Sequence, residues 1–442
     1  MRAKISIGSG RAIARVGARR LLAVVLAASP WLAACNTNDL LKVAAPTLLP
    51  SGQLYTPAQA SLMVNGAIAD FECAFASSAL VEGIISDEFQ DAQLGAAAWD
   101  YDRRSANQFP GGSYGVNACD NNQTPGIYAP LSTARYDADA ILKSLQGYKP
   151  SDVGAAYDSL TAAAALYAGF SYAMMGMSMC NAAFDLGPQQ TQAQMFALAE
   201  QRFNTAITSA QKLSSTGMLR AAYVGRARVR LFQGNTAGAD ADAKLVPAGF
   251  EYDATYSDAN GRRYNRLYAA TAKYGFYSIE TGSRSITVEG IPDPRVPVYN
   301  TGVNGADRTQ IWATKKWNSL NDAVRIASSD EARLIQAEAE YTANPGAAIA
   351  LINGLRDQWS IPHYSGASDA ASVKQLIINE RRAILFGEGQ RNYDYERFSL
   401  AFPSYAAVGA AFPAKGGTYG NTVCLPLPDI ERLNNPNIGS GT

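Results

Sequence analysis

The sequence predicts a mainly α-helical protein. Tetratricopeptide-like helical hairpins would form a scaffold that carries long, irregular, aromatic-rich loops and minor β structure. Two observations support this prediction. Apolar residues recur at intervals of three and four through about 131–246 and 322–398, which is the period of one face of a helix. Two loop-rich inserts, about 86–130 and 250–321, interrupt that period with Tyr, Trp, Gly and Pro.

The N-terminal segment has the features of a secretion signal. Residues 1–34 contain six basic residues and no acidic one, and the apolar run Leu21–Ala28 follows the basic part. That run is too short to span a bilayer permanently. It leads to Leu32-Ala33-Ala34-Cys35, which resembles the bacterial lipobox. The resemblance implies a lipoprotein signal peptide at 1–34 and a lipidated Cys35 that anchors the chain to a membrane. The polar, Pro-containing composition of 35–56 predicts an extended tether.

Four further cysteines, Cys73, Cys119, Cys180 and Cys424, follow Cys35. An even number in an exported protein suggests two disulfides, with three possible pairings. We favour Cys73–Cys119, which would close a turn-rich N-terminal segment, and Cys180–Cys424, which would join the tail to the helical half. No C-x-x-C motif occurs and His363 is the only histidine, so the sequence predicts no metal site and no cofactor.

The body, 57–442, is predicted to be built from successive helices with apolar faces. The faces are Ala60–Phe71, Leu131–Leu145, Leu160–Met174, Phe196–Leu213, Ala222–Leu231, Ala237–Ala241, Ala332–Ala339, Ile349–Trp359 and Val373–Leu385. Small residues stand where neighbouring helices would cross, as in stacked helical repeats. Ser285–Val288 is a strand-like run, and Trp99–Gly126 is predicted to be irregular.

Charge and motif patterns exclude some functions. Beyond residue 34 the chain has 32 basic and 38 acidic residues with no basic run, so nucleic acid is not a predicted partner. The G-x-S-x-G pattern at Gly111–Gly115 lacks the strand and helix that a hydrolase nucleophile needs. An all-helical glycosidase remains an alternative, because such an enzyme needs two carboxyl groups. The acids in the right kind of region are Asp87, Glu88, Asp100 and Asp102.

Aromatic residues in the irregular segments are the candidate binding residues. Sugar rings have apolar faces that stack on Trp and Tyr, while polar neighbours bind the hydroxyls. Trp359, by contrast, is predicted to lie on the core face of a helix. The candidates are Trp99, Tyr101, Tyr114, Tyr299, Trp312 and Trp317.

The segment Glu380–Arg397 contains the pattern E-R-R-x-x-L-x-x-E-G-x-R-x-x-D-x-x-R. By charge spacing alone it would suit an exposed ladder of ion pairs on a helix. The order of residues resembles the C-terminal signature of the SusD/RagB family of lipid-anchored nutrient-binding proteins. The segments Ile291–Val298, Asp330–Ala339 and Leu425–Arg432 also resemble that family.

The resemblance implies a lipoprotein of the outer membrane that faces the cell exterior and catalyses no reaction. Such a protein captures an oligosaccharide or another polar nutrient and delivers it to a SusC-like TonB-dependent transporter. The alternative is a periplasmic tetratricopeptide scaffold that binds proteins or peptides. The long aromatic inserts and the signature after Glu380 argue against that alternative, because a plain repeat array lacks both.

Overall fold

The computed structural model describes residues 51–106, 112–413 and 415–438. The chain divides into two compact units after Leu54. Within the first unit, the described residues Ser51–Leu54 form one helical turn, α1, so this part of the predicted tether is not extended. The predicted signal peptide, Cys35 and the rest of the tether up to residue 50 lie outside the described residues.

The second unit is mainly helical, and the predicted fold class is confirmed. Its α-helices are α2 Ala60–Ile85, α3 Ala96–Asp102, α4 Ser113–Val116, α5 Tyr128–Gly147, α6 Pro150–Val153, α7 Tyr157–Ser178, α8 Gln192–Ala210, α9 Gly217–Phe232, α10 Thr236–Ala243, α11 Arg266–Tyr268, α12 Ser329–Glu340, α13 Pro345–Asp357, α14 Ala370–Ile384, α15 Arg391–Phe398 and α16 Asp429–Arg432. Helix α4 lies within the segment Trp99–Gly126 that was predicted to be irregular, and α3 extends into it.

In the described part of the chain the strands are short and pair in five antiparallel two-stranded ribbons. They are β1 Phe89–Asp91, β2 Asn181–Ala183, β3 Gln189–Thr191, β4 Glu251–Ala254, β5 Tyr277–Ile279, β6 Thr287–Val288, β7 Ile291–Pro292, β8 Val298–Asn304, β9 Gln310–Thr314 and β10 Val324–Ser328. The pairs are β1 with β5, β2 with β3, β4 with β10, β6 with β7, and β8 with β9.

Helices α5, α7, α8 and α9 pack in succession, as tetratricopeptide-like hairpins do. Glycines allow their close approach. An ideal Cβ at Gly169 would lie 2.8 Å from the Phe203 ring, and one at Gly225 would lie 2.4 Å from the same ring. Phe203 of α8 therefore fits between glycines of α7 and α9, which accounts for the small residues at the predicted crossings.

Helix α7 is at the centre of this packing. Among the described residues, one helical stretch, Pro150–Ser178, is long and apolar enough to cross a membrane, but 94% of its most apolar window is buried in the protein. Its apolar residues pack against other helices, so its composition is that of a core helix.

The structure forms the two favoured disulfides. Cys73 of α2 pairs with Cys119, and Cys180 pairs with Cys424 across 244 residues of sequence. A backbone bridge supports the second link, because the N–H of Cys180 donates to the carbonyl of Leu425 at 2.9 Å. The C-terminal tail is thereby fixed to the end of α7.

Gly387 and Gly389 separate α14 from α15. Their φ angles are +68° and +72°, values that glycine adopts without a steric penalty. An ideal Cβ at Gly387 would also lie 2.4 Å from the Trp317 ring. The signature segment is therefore two helices joined at a glycine turn on which Trp317 packs.

The charged residues of the signature are mostly buried, so the exposed ladder suggested by their spacing is wrong. Arg391 donates to both carboxylate oxygens of Asp87, at 2.7 and 3.1 Å. Glu388 accepts a hydrogen bond from Lys316 at 2.8 Å. These charges face inward because their partners come from segments that are distant in the sequence.

Asp394 is the centre of a second buried group. Its carboxylate accepts from Arg381 at 2.9 Å and from Arg397 at 2.8 Å, and Arg397 also contacts Glu338 of α12. Among the described residues, Asp394–Arg397 is the only ion pair within the series Glu388, Arg391, Asp394 and Arg397. The signature thus connects the C-terminal helices to the helical scaffold.

Candidate ligand-binding site

The two predicted loop inserts meet at strand β5. Strand β1, from the first insert, pairs with β5. Strand β9 then joins β5 through Ser278, whose Oγ donates to the carbonyl of Gln310 and accepts from the N–H of Trp312, both at 2.9 Å. Residues that are about 200 positions apart in the sequence are therefore brought to one region.

A third segment, 402–421, completes this region, although its sequence has neither an apolar period nor a recognisable motif. The N–H of Gly420 donates to the carbonyl of Arg103 at 2.7 Å, which fixes the segment to the end of α3. Lys415 contacts Asp91 and lies 2.9 Å from Asp307, with both partners buried. Lys415 thus links the first insert, the second insert and the C-terminal segment.

Trp99 lies beside this junction and is half-buried. Its ring packs against the apolar cluster of Ala406, Phe412 and Tyr419, and Lys415 Nζ lies 5.8 Å from the ring centroid. Its Nε1 donates to the carbonyl of Gln93 at 3.3 Å. The indole is therefore held in place by packing and by one hydrogen bond.

An open cleft of about 520 Å³ adjoins Tyr419, a size within the ordinary range for a small-ligand site. We call it the Tyr419 cleft. Arg103 is ion-paired with Asp100 at 2.8 Å and donates to Ser105 at 3.1 Å, so its guanidinium has a fixed position. The lining is polar and rich in glycine backbone: Arg103, Ser105, Val408, Gly409, Gly417, Thr418, Tyr419, Gly420 and Asn421.

A small cavity of about 80 Å³ also borders Tyr419. It has room for a few water molecules but not for a sugar ring. Burial and the neighbouring charge of Asp91 raise the pKa of Asp102 to about 7, and Asp102 accepts the N–H of Asp91 at 2.7 Å. The carboxyl groups of its lining are Asp87, Asp91, Asp102, Glu280 and Asp307.

The four carboxyl groups considered for a glycosidase are internally engaged. Asp87 is ion-paired with Arg391 and Asp100 with Arg103. Glu88 accepts the N–H of Gly387 at 3.0 Å, and burial raises its pKa to about 8. Together with the hydrogen bond at Asp102, these contacts give each acid a place in the packing of the inserts.

The six aromatic candidates do not form one exposed patch. Tyr101, Tyr114 and Trp317 are buried, at 1%, 1% and 3% exposure, so these three are removed from the candidate surface. The hydroxyl of Tyr101 donates to the carbonyl of Pro125 at 2.8 Å, and Trp317 covers Gly387. Loop aromatics were expected to be exposed, but these rings are buried because they pack the inserts onto the helices.

Tyr299 and Trp312 are half-buried and belong to the β8–β9 ribbon. Trp312 pairs with Asn300, whereas Tyr299 pairs with Ala313. Adjacent residues of a strand point to opposite faces, so the two rings lie on opposite faces of the ribbon. Arg284 lies 5.5 Å from the Trp312 ring centroid. Trp99 and Trp312 remain candidates in the region where the inserts meet.

No group of three or more metal-ligating side chains occurs among the described residues. His363 lies on the surface, where its Nε2 is 2.8 Å from Asp357. The site described here is therefore built from aromatic rings, hydroxyls, an amide, a guanidinium and backbone groups.

Solved structures share this fold. A SusD-like carbohydrate binding protein from Bacteroides vulgatus is 13% identical, with a TM-score of 0.65 over 87% of this chain and 97% of that chain. Surface glycan-binding protein A from Bacteroides uniformis is 17% identical, with a TM-score of 0.61 over 87% and 99%. A putative sugar binding protein from Bacteroides vulgatus is 15% identical, with a TM-score of 0.60 over 86% and 97%.

The sequence also matches a family description. The SusD family model matches residues 324–423, which include the Glu380–Arg397 signature. No curated protein matches the chain. The resemblance to the SusD/RagB family that the signature predicted is confirmed by this match over residues 324–423.

Proposed function

We propose that this protein binds an oligosaccharide in the Tyr419 cleft without altering it. The observation that carries the proposal is one polar cleft formed by part of the first insert and segment 402–421, with Trp99 packed against its wall residue Tyr419. Hydroxyl-rich ligands need many donors and acceptors together with an aromatic ring for their apolar faces. Arg103, Ser105 and Asn421 supply such polar groups, and glycine backbone allows a ligand to approach closely.

The comparisons support the choice of ligand. Proteins with this fold are described as carbohydrate binding, surface glycan-binding and putative sugar binding. Capture would then be followed by delivery to a TonB-dependent transporter of the outer membrane, the role that resemblance to the family suggests. Holding the ligand next to the transporter would raise its effective concentration there, so no chemical step on the ligand is needed.

Replacing Trp99 by Ala is the direct test of the cleft. We expect the variant to bind the preferred glycan about 5- to 100-fold more weakly, because the Trp99 ring packs against Tyr419 and holds that aromatic wall of the cleft in place. The measurement is isothermal titration of the purified mature protein, after a glycan array has identified the ligand. Product analysis of the same mixtures should find the glycan unchanged.

Tyr136→Ala provides the matched control. Tyr136 is an aromatic residue of α5 that is 52% exposed and lines neither the cleft nor the small cavity, so its removal should leave the affinity unchanged. Equal affinity of the Trp99 variant and the wild type, at unchanged thermal stability, would contradict the assignment of the cleft. Release of shorter sugars would favour the glycosidase alternative.

We also propose that Cys35 anchors the protein in the outer membrane, facing the cell exterior. The lipobox-like Leu32–Cys35 motivates this proposal, and two or more acyl chains would be needed for stable attachment. Cys35→Ser should move the protein from the membrane fraction to the soluble fraction and abolish palmitate labelling. Protease accessibility on intact cells reports the orientation. A Ser variant that stays membrane-bound and labelled would refute the anchor.

A further inference from the structure

A second cleft, of about 360 Å³, is lined by positive charge. Its lining includes the cations Arg295, Lys315, Lys316 and Arg325 and a single acidic residue, Asp330. It shares no residue with the Tyr419 cleft. Beyond residue 34 the chain has more acidic than basic residues, so this excess of cations runs against the overall charge. We call it the Trp359 cleft, after the aromatic residue in its wall.

Two of the four cations have their donors engaged. Arg295 is paired with Asp293 at 2.7 Å and also contacts Glu380. Lys316 donates to Glu388 at 2.8 Å and to the carbonyl of Phe386 at 2.8 Å. These two residues contribute to the local potential, but their hydrogen-bonding groups are occupied by the protein itself.

Lys315 and Arg325 differ from this pair. Lys315 is exposed and makes no side-chain hydrogen bond or ion pair with any described residue. Arg325 Nε is buried and lacks a hydrogen-bond partner among the described residues, while another nitrogen of its guanidinium contacts Glu251, whose side chain is 52% exposed. Arg325 also lines the cleft, so an anionic ligand there would face the charge of its guanidinium.

Trp359 adds an apolar face to the cleft. The sequence placed this residue on a core face, and that placement is wrong. Helix α13 ends at Asp357, and Ser360 follows with φ +54°, so the chain turns before the position can pack inward. The Trp359 side chain is 47% exposed and lines the cleft.

We propose that the Trp359 cleft binds an acidic sugar unit of an oligosaccharide. The apolar face of the sugar would stack on Trp359, and its carboxylate or sulfate would face Lys315 and Arg325. A guanidinium fork and an ammonium group are the donors that proteins use for such anions, whereas an aromatic ring gives no advantage to a bare inorganic anion. The cleft therefore selects for negative charge on a ring-shaped ligand.

The test compares acidic oligosaccharides with their neutralised forms on the full mature protein. The carboxylate arm uses oligogalacturonate beside its methyl ester, and the sulfate arm uses heparin fragments beside their desulfated forms. We expect at least one acidic form to bind about 10-fold more tightly than its neutral counterpart, with the preference falling as salt is raised from about 0.05 to about 0.5 M. The arm that shows this preference identifies the acidic group as a carboxylate or a sulfate.

Single substitutions test whether the preference for the acidic form arises in the Trp359 cleft. Lys315→Gln should weaken binding of the acidic form about 2- to 5-fold, as expected for a solvent-accessible ion pair, and leave the neutral form unaffected. Trp359→Ala should weaken it about 10-fold. Lys143→Gln, at an exposed lysine of α5, is the matched control and should change nothing.

Three outcomes would overturn the proposal. The first is equal affinity for the acidic and neutral forms in both arms, or no binding of either form. The second is wild-type affinity for the acidic form in both the Lys315 and Trp359 variants. The third is a loss of affinity in the Lys143 control as large as in those variants. Trp99→Ala separates this cleft from the Tyr419 cleft, because it should leave the preference for the acidic form intact. Both cleft variants replace surface residues, and a melting curve for each checks that it folds.

Discussion

Asp394→Asn should lower the free energy of unfolding by about 3–5 kcal/mol, the range found when one partner of a buried ion pair is removed. Asp394 is 2% exposed, its partner Arg381 is buried with it, and its partner Arg397 is half-buried. Burial opposes the charge of Asp394, but the two arginines outweigh that effect and hold its pKa below the usual value. The variant keeps the shape of the side chain, removes the charge and replaces one acceptor oxygen by an amino group, which leaves Arg381 without an anionic partner.

Urea denaturation of both proteins measures this effect, and the Lys212–Asp158 pair provides the control. That pair has a similar distance, 2.8 Å, but its side chains are 57% and 31% exposed. Asp158→Asn should therefore cost less than about 1 kcal/mol, since exposed ion pairs contribute little. Similar small losses in both variants would mean that burial of the signature charges does not stabilise the fold.

Glu82→Gln should stabilise the protein increasingly as the pH rises from about 4.5 to about 8. Glu82 of α2 has no exposed surface, and neither of its carboxylate oxygens has a hydrogen-bond partner among the described residues. Its polar neighbours Ser178 and Asn392 donate to the carbonyls of Met174 and Val423 instead. Burial accordingly raises the pKa of Glu82 to about 8, so the folded protein holds this carboxyl group protonated at neutral pH.

The direction of the effect follows from proton linkage. Between pH 4.5 and 8 the folded state retains a proton on Glu82 that the unfolded chain has lost, so stability falls as the pH rises. The free energy of unfolding falls by about 1.4 kcal/mol per pH unit for one such group. This fall is complete once the pH has passed the pKa of Glu82 in the folded protein. Gln mimics the protonated acid in shape and cannot ionise, so the variant avoids this part of the loss.

The measurement is a series of urea denaturation curves for the wild type and the variant at pH 5, 6, 7 and 8. The difference between their free energies of unfolding should grow at each step. Asp258→Asn, which alters an exposed carboxyl group, is the control for the loss of a carboxyl group. A Glu82→Gln difference that stays constant over the series would show that Glu82 is already ionised in the folded protein.

The sequence alone determined the long scaffold helices, the fold class and the resemblance to the SusD/RagB family. Helices α5, α7, α8 and α9 show a regular apolar period in the sequence because one face of each helix must be buried. Local spacing was therefore sufficient to predict these helices. The Glu380–Arg397 signature is likewise contiguous. The favoured cysteine pairs also occur in the structure, although reasoning from the sequence left three pairings open.

Only the tertiary structure decided which residues form the two clefts. Tyr419 and Lys415 come from segment 402–421, which shows no period, and they reach Trp99 through contacts across about 300 residues of sequence. Trp317 was expected at the surface and is buried, while Trp359 was expected in the core and is exposed. The spacing of residues reports how one element faces its neighbours. Exposure in a loop or at a helix end depends on which distant segments pack over it, and for this chain those are the inserts and the C-terminal tail.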